Sequence, residues 1–205
     1  MSALFLTAAG AGLAVAAPVG PMSLLCMRRT LAQGWRTGFA TGAGIASGDA
    51  VFALVAGLGL AGVQRFMVEH ERGLHGVAGV FLLYLGIKTV WTAGRGAERG
   101  SSRAASWRVA YGSSVLLTLT NPPTIVLFAA LFAVLAPRAG FTPGTALLTV
   151  AGVFAGSLGW WLGLTTAVAG LRDVLGVGVR AWVDRVSGVA LAVFGLAEIR
   201  RALSG

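Results

Sequence analysis

Six apolar runs of membrane-spanning length, parted by short basic gaps, constrain this chain more than any other feature. A spanning helix needs about 20 mainly apolar residues. The runs are Ala3–Met27, Gly38–Val63, Leu74–Thr92, Val109–Leu135, Gly144–Leu171 and Trp182–Ala202. Across the 205 residues 56% are hydrophobic and 11% charged, where an ordinary soluble domain carries roughly 25% charged residues. A soluble fold of this size cannot hide so much apolar surface from water, whereas a bilayer can. The pattern predicts an all-α membrane protein of six transmembrane helices. Trp91, Trp107 and Trp182 fall near the proposed ends, where amphipathic rings prefer to sit.

The formal charge of +9 and the pI of about 11.6 would suit a nucleic-acid binder. The basic residues form no stripe, however, and fall in the gaps, so nucleic acid is not the partner. Gaps after runs one, three and five hold Arg28, Arg29, Arg36, Arg95, Arg99, Arg103, Arg108, Arg172, Arg180 and Arg185. The opposite side holds Arg65, Arg72, Arg138, Arg200 and Arg201. Ten against five puts the first set in the cytoplasm of a bacterial inner membrane and both termini outside. On this reading Arg28 and Arg29 are topology anchors, and Lys88 snorkels late in run three. Glu198 falls near the outer surface beside Arg200 and Arg201 and takes no role. No Lys or Arg precedes Arg28, so the first run reads as a retained span rather than a cleaved signal.

Several chemistries are excluded. Cys26 is the single cysteine, so no internal thiol pair exists, and it reads as a small packing residue. His70 and His75 are too few, and too far from other ligand types, to hold a metal. There is no Walker-type loop for ATP and no nucleophile–base set, so the chain is not read as an enzyme and no cofactor is expected.

The two halves resemble each other. Run two carries Gly44-Ile-Ala-Ser-Gly48-Asp49, and run five carries Gly152-Val-Phe-Ala-Gly156-Ser157. Run three has Gly79 and Gly86, run six Gly188 and Gly195, each pair seven apart. Pro18 and Pro21 interrupt run one; Pro122 and Pro123 interrupt run four. Ala93–Trp107 is a Gly/Ser/Arg-rich linker. The division is residues 1–92, a cytoplasmic linker over 93–108, and residues 109–205. Three spans per half force the second half to run inverted, giving two inverted three-helix repeats with helices one and four broken. That plan marks secondary transporters, whose substrate site lies near the midplane.

Asp49 is the only charge between Gly38 and Gly62. A carboxylate at the centre of a spanning helix costs about 2.5–3.5 kcal/mol on insertion scales, so it faces a cavity or a partner. It could bind a substrate ammonium, carry a coupling proton, or do both. Ser157 offers a hydroxyl at the matching position. Pro18 and Pro21 free the carbonyls of Ala14 and Ala17, and Gly20 permits unusual dihedrals, so this backbone must face protein or water. Asn121 adds an amide at the second break, beside Pro122. Counting about 1.5 Å per residue from helix starts near Thr37 and Val109 puts Asp49 and Asn121 each about 18 Å deep, in one layer. Thr118 and Thr120 either line that layer or bond back within their helix. Gly38, Gly42, Gly44, Gly48, Gly152 and Gly156 are spaced for close helix approach, and glycine-lined faces also admit a homodimer.

From Pro18-Val-Gly-Pro21 through Arg28, Arg29, Gly34, Gly38, Gly48-Asp49, Gly79, Tyr84, Leu85, Gly86 and Lys88 to Asn121-Pro122, the chain resembles the LysE/RhtB family of amino-acid exporters. The resemblance implies a six-span inner-membrane carrier that exports amino acids or related amino metabolites by antiport against inward proton flow. Pro18, Gly20 and Pro21 match the family's first broken helix, Asp49 its span-two acid, and Asn121 and Pro122 its second break. Pro123 departs from the family, which commonly has Lys there. The substrate ammonium would pair with Asp49, and its carboxylate would meet a half-helix start beside Pro21 or Pro122. The alternatives are a metal-ion exporter of the same superfamily, a thiol–disulfide carrier and a non-transporting scaffold. One cysteine argues against the carrier, and scarce His and Asp within the runs argue against the metal exporter.

Overall fold

The computed structural model describes residues 1–18, 20–57, 69–92, 106–121, 124, 128, 142–172 and 177–204. Among the described residues there are seven helices and no strand: α1 Ser2–Ala16, α2 Pro21–Gln33, α3 Trp35–Gly57, α4 Glu71–Thr92, α5 Trp107–Leu119, α6 Pro143–Arg172 and α7 Val177–Ser204. Three of them (α3, α4 and α6) are long and apolar enough to cross a membrane. α1 and α2 together form a fourth such stretch, bent by 80°.

That bend falls where the prolines predict it. The Ala17 N–H closes α1 on the Leu13 carbonyl at 2.9 Å, and α2 restarts with Pro21 in its first turn. A helix start loses nothing from proline's missing N–H. Gly20 differs from expectation. Its backbone is extended (φ −141°, ψ −168°), which any residue adopts, and a Cβ there would meet open space. Glycine is required instead at Gly34, whose φ of 91° joins α2 to α3 through one residue. The first basic gap is therefore no loop: Arg28 and Arg29 belong to α2, and Arg36 to α3.

The second break is seen from one side. α5 ends at Leu119, and the Thr120 and Asn121 N–H groups close on the Leu116 and Thr118 carbonyls at 3.0 and 3.2 Å. Pro122, Pro123 and the expected run to Leu135, apart from Thr124 and Phe128, lie outside the described residues, as does the linker over 93–105. Trp107 and Arg108, assigned to the linker, already belong to α5, where the Ser106 hydroxyl accepts from the Arg108 N–H. α7 starts at Val177, earlier than the sixth run.

Lipid tails are as apolar as leucine, so helices in a membrane associate through close packing and hydrogen bonds rather than hydrophobic burial. Glycines supply the close approach at every major seam. A Cβ on Gly152 would stand 2.7 Å from the Phe5 carbonyl and from the Ala8 methyl, and one on Gly156 would strike the Ala9 carbonyl, both across the α1–α6 seam. Where α3 meets α5, a Cβ on Gly44 would strike the Tyr111 carbonyl and Ser114, and one on Gly48 would stand 2.6 Å from the Thr118 methyl. α4 and α7 run antiparallel; a Cβ on Gly79 would stand 2.8 Å from the Gly195 carbonyl, and one on Gly86 2.7 Å from that of Gly188.

Leu25, Leu82, Leu117 and Leu191 join the α4–α7 pair to α2 and α5. Arg28 Nε lies 3.5 Å from Asp184 Oδ1 on α7, so Arg28 is an inter-helix ion pair and not only an anchor. Glu198 also departs from expectation. It is buried, pairs with His75 Nδ1 on α4, and accepts from Arg201 Nη1 at 2.8 Å. Removing the Glu198 carboxylate deletes a buried hydrogen bond to His75 and a second to Arg201, a loss of about 1–3 kcal/mol. Glu198→Ala should therefore lower the thermal unfolding midpoint by several degrees, and an unchanged midpoint would show that the α4–α7 contact does not depend on it.

Candidate functional site

Asp49 lies on α3 with 3% of its surface exposed, and fully buried Ser157 on α6 donates a hydrogen bond to its Oδ2 at 2.7 Å. The two helices cross antiparallel here, because Gly42 opposes Trp161 while Ala53 shares a cluster with Val153. Among the described residues no cation pairs with Asp49. A carboxylate has room for about four hydrogen bonds, and among the described residues this one receives a single donor.

The surroundings link Asp49 to both breaks. One turn before it, Ile45 and Ala46 pack with Ala16, Cys26 and Trp161, and Met22 rests against them. Ala16 and Met22 flank the first break. One turn after it, Phe52 and Ala53 pack with Ala8, Val153 and Phe128, and Leu119 rests against them. The Phe52 and Phe128 rings stack with centroids 5.9 Å apart. Leu119 and Phe128 flank the second break. The carboxyl group thus lies between two apolar layers, each including residues that flank one of the two proline pairs.

The other expected site residues divide. Pro18 is exposed, and its carbonyl accepts from Ser23 Oγ at 3.1 Å, so α2 itself satisfies part of the opened backbone. Pro21 heads α2. The Thr118 hydroxyl bonds back to the Ser114 carbonyl at 2.9 Å while its methyl faces Gly48, and Thr120 bonds back to Leu116. Asn121 Nδ2 donates to Thr124 Oγ1 at 2.9 Å. Thr118, not Asn121, is therefore level with Asp49 on α5, and Asn121 lies three residues farther, past the helix end. Pro122 is outside the described residues.

The sequence reading missed Arg29. It is 7% exposed and reaches across the bundle. Its Nη1 donates to Thr41 Oγ1 (3.1 Å), the Ala110 carbonyl (3.0 Å) and Ser114 Oγ (3.1 Å), and Nη2 donates to Ser113 Oγ (2.9 Å). This is not a residue anchored in water. The available signal was weak: hydroxyls four apart on α3 (Thr37, Thr41) and α5 (Ser114, Thr118), facing the end of α2.

Long apolar helices around one bent helix pair, with a carboxyl buried between α3 and α6, define a multi-pass membrane protein. The chain matches the LysE type translocator family over residues 13–201 and belongs to it. The putative amino acid efflux protein YcgF of Bacillus subtilis (strain 168) is 26% identical over 196 residues, covering 94% of this chain and 93% of that protein. The chemotactic transduction protein ChpE of Pseudomonas aeruginosa is 31% identical over 179 residues, covering 84% and 85%. A leucine efflux protein of Klebsiella pneumoniae is 28% identical over 135 residues, covering 64% and 63%. No solved structure matches the chain.

Proposed function

We propose that this protein exports amino acids or closely related amino metabolites across the bacterial inner membrane, in exchange for protons, with Asp49 as the shared binding group. The observation that carries the reading is the position of Asp49 between packed residues that flank the two proline pairs in the sequence, with one neutral donor and no cation paired to it among the described residues. A substrate ammonium and a proton would compete for that carboxyl, which is what exchange requires. The names of YcgF and of the leucine efflux proteins favour amino acids as cargo.

The architecture behind this reading is two inverted repeats, residues 1–92 and 109–205, joined by the cytoplasmic linker. Packing supports it. A two-fold axis that exchanges Gly79 with Gly188 and Gly86 with Gly195 turns the contact of Gly79 with Gly195 into that of Gly188 with Gly86, and both contacts exist. The same exchange relates Gly44 on Tyr111 and Ser114 to Gly152 on Phe5 and Ala8. Asp49 and Ser157, equivalent positions, bond to each other and so would sit on the axis, where alternating-access carriers hold their cargo. The half-helix start at Pro21, with its unpaired N–H groups, suits the carboxylate. Thr118, Pro18, Gly20, Asn121 and Pro122 would shape the surrounding cleft.

The test is a metabolite profile of the medium from cells overexpressing the protein, compared with cells expressing Asp49→Asn. Accumulation of one or more amino acids in the first culture alone is the expected result. Equal profiles would refute the exporter reading. Greater metal tolerance, with no amino acid released, would point to the metal-exporter alternative. A second measurement addresses coupling: in liposomes, an imposed proton gradient should accelerate efflux several-fold, and insensitivity to it would remove the proton from the cycle.

A further inference from the structure

Arg29 is a positive charge inside the bundle, and among the described residues its hydrogen-bond partners are all neutral. An isolated buried charge costs several kcal/mol even after relaxation, so its retention calls for an anion that the described residues do not supply. Among the described residues no carboxylate pairs with it.

We propose that the Nε–Nη2 edge of Arg29 is a carboxylate-binding site, where an amino acid on its way to Asp49 is held by its carboxylate. This rests on the exporter reading above. Three observations converge on it. First, the acceptors are distributed unevenly. Nη1 serves three oxygens and Nη2 one, while Nε makes no hydrogen bond among the described residues. The edge left with spare donors is the one that takes a carboxylate through two parallel N–H bonds. Second, the site is built. Thr41, Ser113 and Ser114 donate their own protons to the Thr37 and Ala110 carbonyls at 2.8–3.1 Å, so each turns an oxygen lone pair toward the guanidinium and fixes its orientation. None of them neutralises it. Third, the site leads to Asp49. Ser114 lies one turn from Thr118, which touches Gly48, and Thr41 lies about 12 Å along α3 from Asp49.

An α-amino acid carries both charges on one carbon and cannot span that distance. The two groups therefore act in succession, Arg29 on the carboxylate and Asp49 on the ammonium. Arg29 would then separate amino acids from amines that lack the carboxylate.

The test uses the full-length protein in liposomes, with a panel of the protein amino acids and the amine derived from each by loss of its carboxyl group. For the amino acids that wild-type protein moves, Arg29→Gln should raise the half-saturating concentration at least tenfold, leave the matching amines unchanged, and reduce the preference for acid over amine towards one. A purely structural role would affect both compounds alike. Should Arg29→Gln not fold, Arg29→Lys keeps the charge without the fork and should show the same selective loss, several-fold. Unchanged discrimination in whichever variant folds overturns the site. So does wild-type protein that moves acids and amines equally, with the exporter reading left standing. Wild-type protein that moves no amino acid overturns both.

Discussion

Asp49→Asn is expected to reduce efflux at least a hundredfold while the protein folds as before. The amide is nearly isosteric, and its oxygen can still accept from Ser157. It cannot carry a charge to meet an ammonium or take up and release a proton. Removing a charge from the interior of a spanning helix also relieves desolvation, so stability should be unchanged or slightly raised. Efflux from liposomes, read beside the thermal midpoint of the same preparation, separates the two effects. Near wild-type efflux would dismiss Asp49 as the binding group. Lost efflux with lost folding would make it structural. Ser157→Ala should be milder, since one hydrogen bond to a charged group contributes about 1.5–3 kcal/mol.

The second large effect concerns the seam between α1 and α6. Gly156 is in contact with the backbone of Ala9, so any side chain there must push two helices apart. Gly159, three residues along the same helix, is exposed and would turn a side chain into open space. Overpacking an ordinary core costs about 1–3 kcal/mol, and a backbone-to-backbone contact has less freedom to adjust. Gly156→Val should therefore cost about 3 kcal/mol or more and leave little monodisperse protein in detergent. Gly159→Val, with the same change in helix propensity, should purify and melt like wild type. Equal behaviour of the two variants would show that the seam is looser than its glycines imply.

What could be read from the sequence follows from how local each signal is. A proline pair inside an apolar run stops a helix wherever the run is placed, so the bend between Ala16 and Pro21 and the end of α5 before Pro122 were legible. Glycines seven apart in two runs were read only as a sign of repetition; that Gly79, Gly86, Gly188 and Gly195 meet across one seam is seen in the structure. Asp49 and Ser157 stood at matching places in a repeated pattern, and a hydrogen bond joins them. Arg29 was not legible because a cation near the end of an apolar run looks the same whether it faces water or protein. Its hydroxyl partners on α5 are 84 and 85 residues away. Glu198 was misread for the same reason: the neighbouring arginines suggested a solvated end, while its partner His75 lies 123 residues back. The count that placed Asn121 assumed a straight helix, whereas α5 ends at Leu119 and Asn121 lies two residues beyond it. Gly20 looked like a conformational necessity but lies in extended backbone beside open space.

The central claim is that water and cargo reach the carboxyl group between the two interrupted helices. Cys26 is the sole cysteine, so Cys26→Ala with Ser157→Cys places one thiol against Asp49. Membrane-embedded protein is then treated with a small, charged, membrane-impermeant methanethiosulfonate from each side in turn. The account predicts modification of the thiol, slowed by the transported amino acid. A thiol that stays unmodified from both sides, in protein that still transports, would contradict it.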